Sequence, residues 1–360
     1  MLLTIIAFVI CLGVLILVHE LGHFLAAKAF KVKVEEFSIG FPPRILSFRR
    51  GETKYSIGLL IFGGYVRMLG EEESSKDPRA FNNQSAWKRL VISVAGVLMN
   101  IILAWLLLTA GFIYGMAPIA TPSDLIPGEQ VRSQIYIYET KADTPAAKAG
   151  LKSGDQIVNI KIDDQVIVPK SLADVSNLTA TNLGKTILME IKRDGQSETL
   201  ELVLSSEPSA PLGVIIINQA VVRVPWYQAP YVALRETYEI TRMTFSFLGS
   251  FVKEIFTQGK VSDQVGGPIA IFSMSGAAAR AGVIAFIQFV AMLSINLALI
   301  NILPFPALDG SRALLMVLEQ IFRKRVFREN VENIIHTVGF ALLILLILAV
   351  TYNDIARKIG

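Results

Sequence analysis

The chain of 360 residues has one cysteine and three histidines, and only 18% of it is charged, against roughly 25% in an average soluble protein. A single thiol, Cys11, excludes an intrachain disulfide, and its apolar neighbours offer nothing that would activate a thiolate nucleophile. From Leu2 to Val18 there is no charge at all. The start also lacks the basic n-region of a secretory signal, and the apolar run exceeds the roughly 7 to 15 residues of an h-region, so it reads as a retained span. Net charge is +4; it is mostly a topology signal, carried by the Lys and Arg of the short inter-span loops, and gives no reason to invoke nucleic acid.

What the chain does have is apolar length. It is 52% hydrophobic with a mean hydropathy of +0.52. A hydrocarbon core of about 30 Å needs roughly 20 helical residues, and four segments qualify: 1–30, 88–116, 283–304 and, weakest in length, 331–353. The loop at 31–87 is rich in Lys and Arg, such as Arg49 and Arg50, with Lys28, Lys88 and Arg89 at its edges, and a second basic cluster is Arg323, Lys324, Arg325 and Arg328. By the positive-inside rule both loops are cytosolic and both termini extracytoplasmic. The expected location is the inner (cytoplasmic) membrane.

Within the first span stands His19-Glu20-Leu21-Gly22-His23. Residues i and i+4 of a helix share a face, so both imidazoles can grip one metal. The glutamate beside the first histidine is placed to accept a proton from a water that such a metal acidifies. An ionisable side chain at membrane depth costs about 2.5 to 3.5 kcal/mol on insertion scales and persists for function. His23 is about 8 Å of helix rise from Lys28, which puts the metal inside the membrane near its cytosolic face.

A catalytic zinc normally takes three protein ligands and keeps one open position. Two residues compete to be the third, His336 at the head of the fourth span and Asp309 in Asn296-Leu-Ala-Leu-Ile-Asn301-Ile-Leu-Pro304-Phe-Pro306-Ala-Leu-Asp309-Gly310. Pro304 should break the third span, and unwound backbone at membrane depth is tolerated only where it is buried in protein or lines a wet cavity. That favours Asp309. Asn296 and Asn301 are about 140° apart on an ideal helix, so both reach one site only if the helix is distorted or the site wide; interhelical hydrogen bonding is the alternative.

Between the spans, 125–207 is soluble in character. It reads as a strand, a short helix at Pro145 to Ala149, the strand Gln156 to Ile162, a helix near Ser171 to Thr179, and two strands flanking Asp194-Gly195. The string Ala149-Gly-Leu-Lys-Ser-Gly-Asp-Gln-Ile-Val-Asn-Ile160 resembles a PDZ domain, a fold that binds peptides at a sheet edge. Val34 to Leu69 reads as a β-meander, with Tyr55 to Leu60 and Gly63-Gly64-Tyr65-Val66-Arg67-Met68 as strands. The segment 208–282 is a linker with an amphipathic, interfacial helix over Pro230 to Gly259, and 311–330 is a cytosolic-side helix.

Taken together, the HELGH motif, the LPFPALDG segment and the PDZ-like region resemble the site-2 protease family of intramembrane metalloproteases, most closely its bacterial RseP type, which cleaves membrane-bound anti-sigma factors. The resemblance spans nearly the whole chain. It implies Zn2+ held by His19, His23 and Asp309, with Glu20 as general base and Asn296 and Asn301 holding substrate. It also implies a membrane-associated β-sheet whose edge, at Gly63, Gly64 and Tyr65, pairs with an unwound substrate. Ser311 stands where many relatives have a second glycine after Asp-Gly and could cap the helix Arg312 to Phe322, and there is room for one PDZ domain where several relatives carry two.

The expected fold is therefore an α-helical polytopic membrane protein of four spans, with a membrane-associated β-sheet segment and an inserted α/β PDZ domain. Its expected partners are single-span membrane proteins, peptides at the PDZ groove and the lipid bilayer. The rival readings are a catalytically silent scaffold that uses the PDZ domain to hold partners, and a metal transporter. All four catalytic positions are filled, which disfavours the first, and the second span has few polar residues, which disfavours the second.

Overall fold

The computed structural model describes residues 1–71, 73, 75–193, 195–207, 211–258, 267–322 and 329–359. Along the chain run α1 (Leu2–Ala29), β1 (Val34–Arg50), β2 (Thr53–Met68), α2 (Ala86–Tyr114), β3 (Glu129–Thr140), α3 (Pro145–Lys148), β4 (Gln156–Ile162), β5 (Gln165–Ile167), α4 (Leu172–Thr181), β6 (Thr186–Arg193), β7 (Gln196–Val203), β8 (Val214–Arg223), α5 (Ala229–Gln258), α6 (Pro268–Ala281), α7 (Val283–Ile302), α8 (Asp309–Phe322) and α9 (Glu329–Ile359). They form two compact units, one of Met1–Thr109 with Ala233–Gly360, the other of Ala110–Val232.

In the first unit, α1, α2 and α7 are long and apolar enough to cross a membrane. All three leave large apolar side chains exposed, such as Ile5, Leu98 and Val283, as helices that face lipid do. The expected fourth span lies within α9, whose apolar stretch, Thr337–Tyr352, is shorter than in the other three. The basic cluster at 323–328 and the side chain of His336 lie outside the described residues. Cys11 and Leu15 of α1 pack with Phe289 and Val290 of α7, joined by Leu103 of α2 and Ile271 of α6. Helix α6 falls within the stretch expected to be linker, because its run of Ser, Gly and Ala carries little apolar contrast. It nonetheless docks on α1 with Gly276 against Thr4.

The sheet of β1 and β2 is more folded than two strands suggest. Val34 to Ile39 is paired on one side with Gly64 to Met68 (Phe37 opposite Val66, Ile39 opposite Gly64) and on the other with Lys54 to Ile57, while Arg44 to Arg50 pairs with Gly58 to Thr53. The order is thus 64–68, 34–39, 54–57, 44–50. Among the described residues, the 64–68 run has a strand partner on one side only. Buried Glu36 ties the layers, accepting hydrogen bonds from Ser56 (2.9 Å), Arg44 (2.8 Å) and Arg67 (3.1 Å). Beneath, Ala27, Val34, Phe37, Val66, Phe81, Ile92 and Met316 make a core joining the sheet to α1, α2 and α8.

The second unit is a sheet ordered β7-β6-β4-β3-β8, with β5 on β4. The expected helices and strands of the PDZ-like region are present, with Asp194 outside the described residues. The sheet also runs past the expected limit at 207, since β8 pairs along most of β3, from Glu129 opposite Arg223 to Thr140 opposite Val214. In the Gly150–Asp155 turn, buried Asp155 accepts from Arg193 Nε and Nη2, both at 2.7 Å, and from the Lys152 amide at 2.8 Å. Burial alone would raise the Asp155 carboxyl; the Arg193 hydrogen bonds and charge outweigh it and hold the group below the usual carboxylate range.

Asp155→Asn is therefore expected to destabilise this unit at pH 7 by about 1 to 3 kcal/mol, the scale of a hydrogen bond to a charged group. A folded-state pKa below the unfolded value of about 3.9 gives stability that is fully present above that value and is lost as pH falls through the folded one. The wild-type advantage should hold from pH 7 to about 5 and shrink below about 4. Hydrogen exchange of β4 and β6 amides in the full-length protein measures it, and an unchanging difference down to pH 3 would show that the charge is irrelevant.

Candidate metal centre

The buried positions of α1 are Thr4, Ala7, Cys11, Leu15, His19, Gly22, His23 and Ala27. Their spacing of three and four makes them one face, so the stripe that packs the helix carries the histidine pair. At Gly22 the backbone of α1 meets that of α2, where a Cβ would lie 2.4 Å from the Ala95 carbonyl oxygen. Small residues allow such close helix contacts in membranes, and this one sets α2 directly beside the imidazoles.

Asp309 arrives from the far end of the chain. Helix α7 stops at Ile302, and Leu303 turns extended (φ −61°, ψ 143°), as the residue before a proline must. Two short turns follow, Phe305 N–H to Leu303 O (2.8 Å) and Leu308 N–H to Phe305 O (3.1 Å). The chain then reverses into α8, which opens at Asp309. Gly310 permits the reversal, because a Cβ there would sit 2.0 Å from the Ile302 carbonyl oxygen. Ser311 does not cap this helix. The helix begins at Asp309, three residues before the expected Arg312, and the Ser311 hydroxyl donates to the Leu308 carbonyl at 2.8 Å.

The result is a three-member cluster. His19 Nε2 is 3.0 Å from Asp309 Oδ2, His23 Nε2 is 3.3 Å from the same oxygen, and the two Nε2 atoms are 3.3 Å apart. Two ligands about 2.05 Å from a zinc at the tetrahedral angle stand about 3.3 Å apart, so the donor set and its spacing fit that ion. The second ring nitrogens are held by α2. His23 Nδ1 donates to the Ile92 carbonyl at 2.8 Å, and His19 Nδ1 is 3.3 Å from Asn100 Nδ2. Between them Gly96 leaves the gap that the rings occupy, since a Cβ on it would meet His23 Nε2 at 2.4 Å.

Around the cluster is a cavity of about 800 Å³, lined by His19, Glu20, His23, Asp309, the segment Gly64 to Met68, Glu71, Arg312, and Thr337 and Phe340 of α9, among others. Glu20 is beside the strand edge, with its Cγ 2.9 Å from where a Gly64 Cβ would be. Tyr65 lines the cavity too, whereas Gly63 packs against the Phe41 ring and is not among the lining residues. The two asparagines part company. Asn301 Nδ2 is 3.3 Å from His19 Nε2, while Asn296 Oδ1 accepts from Thr244 of α5 at 3.4 Å. Helix α7 is regular here, so the 140° between them stands and only one faces the cluster.

Sequence reasoning overlooked Ile92, Gly96 and Asn100 of α2, and the pair Glu71 and Arg312, whose ion pair ties the end of the 64–68 strand to α8. A signal for the first set was present. An amide in an otherwise apolar span is costly and marks an interior face, and Asn100 shares a helix face with Gly96 four residues before it.

The model of peptidase family M50 matches residues 7–346 of the chain. A protein of Clostridium acetobutylicum named "Putative zinc metalloprotease" is 38% identical over 355 residues, covering 98% of this chain and 97% of its own length. Proteins of the same name from Clostridium perfringens and Fusobacterium nucleatum are 34% and 32% identical, covering 95% and 96% of this chain and 95% and 97% of their own lengths.

Proposed function

Because the chain belongs to peptidase family M50, we propose that it is an intramembrane protease that cuts single-span membrane proteins within or near the bilayer. That it is a membrane-embedded zinc metallopeptidase follows from the family, its relatives and the three apolar helices. In this reading His19, His23 and Asp309 hold the zinc. When bound, zinc supplies Lewis acidity toward a peptide carbonyl and lowers the pKa of water to near 7.

The observation that carries the proposal is the convergence of these donors and Glu20 on one cavity walled by a one-sided strand, Gly64 to Met68. A peptide bond inside a substrate helix has its N–H and C=O committed to the helix. Unwinding it at membrane depth leaves those groups unsatisfied at several kcal/mol each. Pairing with the open strand edge satisfies them and lays the extended peptide past Glu20. Glu20 then accepts the proton of the attacking water and returns it to the leaving amine, and the Asn301 amide donates toward the substrate. Release of a cytosolic fragment, as in regulated intramembrane proteolysis of anti-sigma factors, follows if the cluster is on the cytosolic side, as the Lys and Arg bias of 31–87 suggests.

In the same reading α9 is a fourth span whose short apolar stretch is offset by local thinning of the bilayer and by flanking residues that reach the interface. The Ala110–Val232 unit is an extracytoplasmic PDZ domain that engages substrate or partner peptides. Asn296 supports α5 and has no part in binding substrate.

The test is cleavage of a model single-span substrate by the purified protein in detergent. Activity should vanish on chelation and return with one equivalent of zinc. Zinc binding with no cleavage of any helical substrate would instead support the scaffold reading.

A further inference from the structure

On α2, Asn100 is completely buried and, among the described residues, its Oδ1 has no hydrogen-bond partner. A buried amide oxygen left alone loses its hydration with nothing in return, so an orphan of this kind calls for a reason. Its amine faces His19 Nδ1 at 3.3 Å. That arrangement requires His19 Nδ1 to be the acceptor, and a neutral imidazole that accepts at Nδ1 carries its proton on Nε2. Yet Nε2 is the atom that faces Asp309 and His23. A histidine protonated there has no lone pair for a metal, so the pairing as drawn belongs to the metal-free tautomer.

The oxygen and nitrogen of a side-chain amide are interchangeable by a half-turn. After it, the oxygen stands where the amine stood and accepts from His19 Nδ1–H. The amine takes the orphan oxygen's location, so the number of unpartnered ends is unchanged, and the histidine decides the orientation. We propose that Asn100 is a positioning residue for the zinc site, whose amide oxygen accepts the Nδ1 proton of His19 and so keeps its Nε2 lone pair on the metal. This rests on His19 being a zinc ligand, as read above.

Two features make the role specific. The other histidine is served in the same way by the same helix, through the Ile92 carbonyl. Metal-bound histidines generally need such an outer acceptor, and losing it costs 10- to 100-fold in metal affinity or activity. Asn100 is also fixed along α2, because its own carbonyl accepts from Ser294 of α7 at 2.8 Å. The amide therefore cannot drift from the ring without disturbing the contact between α2 and α7.

Zinc affinity, read by competition with a graded chelator on the full-length protein in detergent, tests this without recourse to activity. Asn100→Leu, which keeps the volume and removes the acceptor, should weaken zinc 10- to 100-fold. Asn100→Asp, which can only accept when ionised, should stay within a few-fold of wild type or bind more tightly. Thermal melts of the chelated proteins reveal any folding defect, and the ratio between the two variants carries the result because both disturb the packing. Equal zinc affinity in wild type, Leu and Asp variants would overturn the proposal and leave Asn100 a helix-packing residue, as would equal losses in both variants. If wild type itself holds no zinc, the metalloprotease reading fails first.

Discussion

Replacing Glu20 with glutamine is expected to slow substrate cleavage by about 10²- to 10⁴-fold, the usual worth of a positioned general base, while zinc content stays at the wild-type level. Glutamine keeps the length and planarity of the side chain and removes the ability to take a proton. The metal should be indifferent, because the donor atoms that converge belong to His19, His23 and Asp309, with Glu20 outside that group. Glu20 opens on the same cavity and abuts the strand edge through Gly64, a location suited to a water and a peptide rather than to the ion. Single-turnover cleavage and zinc content, measured on one preparation, check this together. A loss of zinc would make Glu20 a ligand, and a fall of less than tenfold would move the base elsewhere, with Glu71 the other glutamate lining the cavity.

An equally large effect is expected at a residue that carries no chemistry. Gly96→Ala adds one methyl group 2.4 Å from His23 Nε2 and 2.8 and 2.9 Å from His19 Cε1 and Nε2. Atoms do not approach that closely, so something must yield. The rings cannot turn aside freely, since His23 is held by the Ile92 carbonyl and both face Asp309. Nor does α2 move away at no cost, because its backbone is against Gly22 one residue before. Sites of this kind tolerate about 0.5 Å of displacement, so zinc affinity and cleavage should each fall at least 100-fold.

Gly13→Ala provides the control. It makes the same exchange in α1, and a Cβ there has nothing within 4 Å, so it should leave zinc and activity intact and gain up to about 1 kcal/mol of helix propensity. Comparable zinc affinity in Gly96→Ala and wild type would mean that the approach of α2 to the site is looser than described.

Much of the centre was legible because its signals are local. The four-residue spacing of His19 and His23 is a property of any helix. The break before Asp309 follows from the ring of Pro304, and the bounds of β4 and the neighbouring short helix follow from turn residues beside an apolar run. Misreadings arose where neighbours in sequence gave no contrast. Helix α6 mixes a few apolar residues with Ser, Gly and Ala, so its packing face has little contrast in sequence, and β8 lies beyond a segment that reads as linker.

By itself, then, the sequence determined a histidine pair at metal-ligand spacing on an apolar helix, a broken late helix carrying a carboxylate, and an insert built of strands. Only the tertiary structure decided that Asp309, 290 residues from His19, is the partner of the pair, and that Asn301 and not Asn296 joins it. It alone revealed that α2 supplies the second contact of each imidazole, from Ile92 and from Asn100, 81 residues away from His19. Periodicity states which side chains share a face of one helix. Which face meets which neighbour depends on close contacts such as Gly22 on Ala95 and Gly310 on Ile302, where backbones approach only if both helices are already in position.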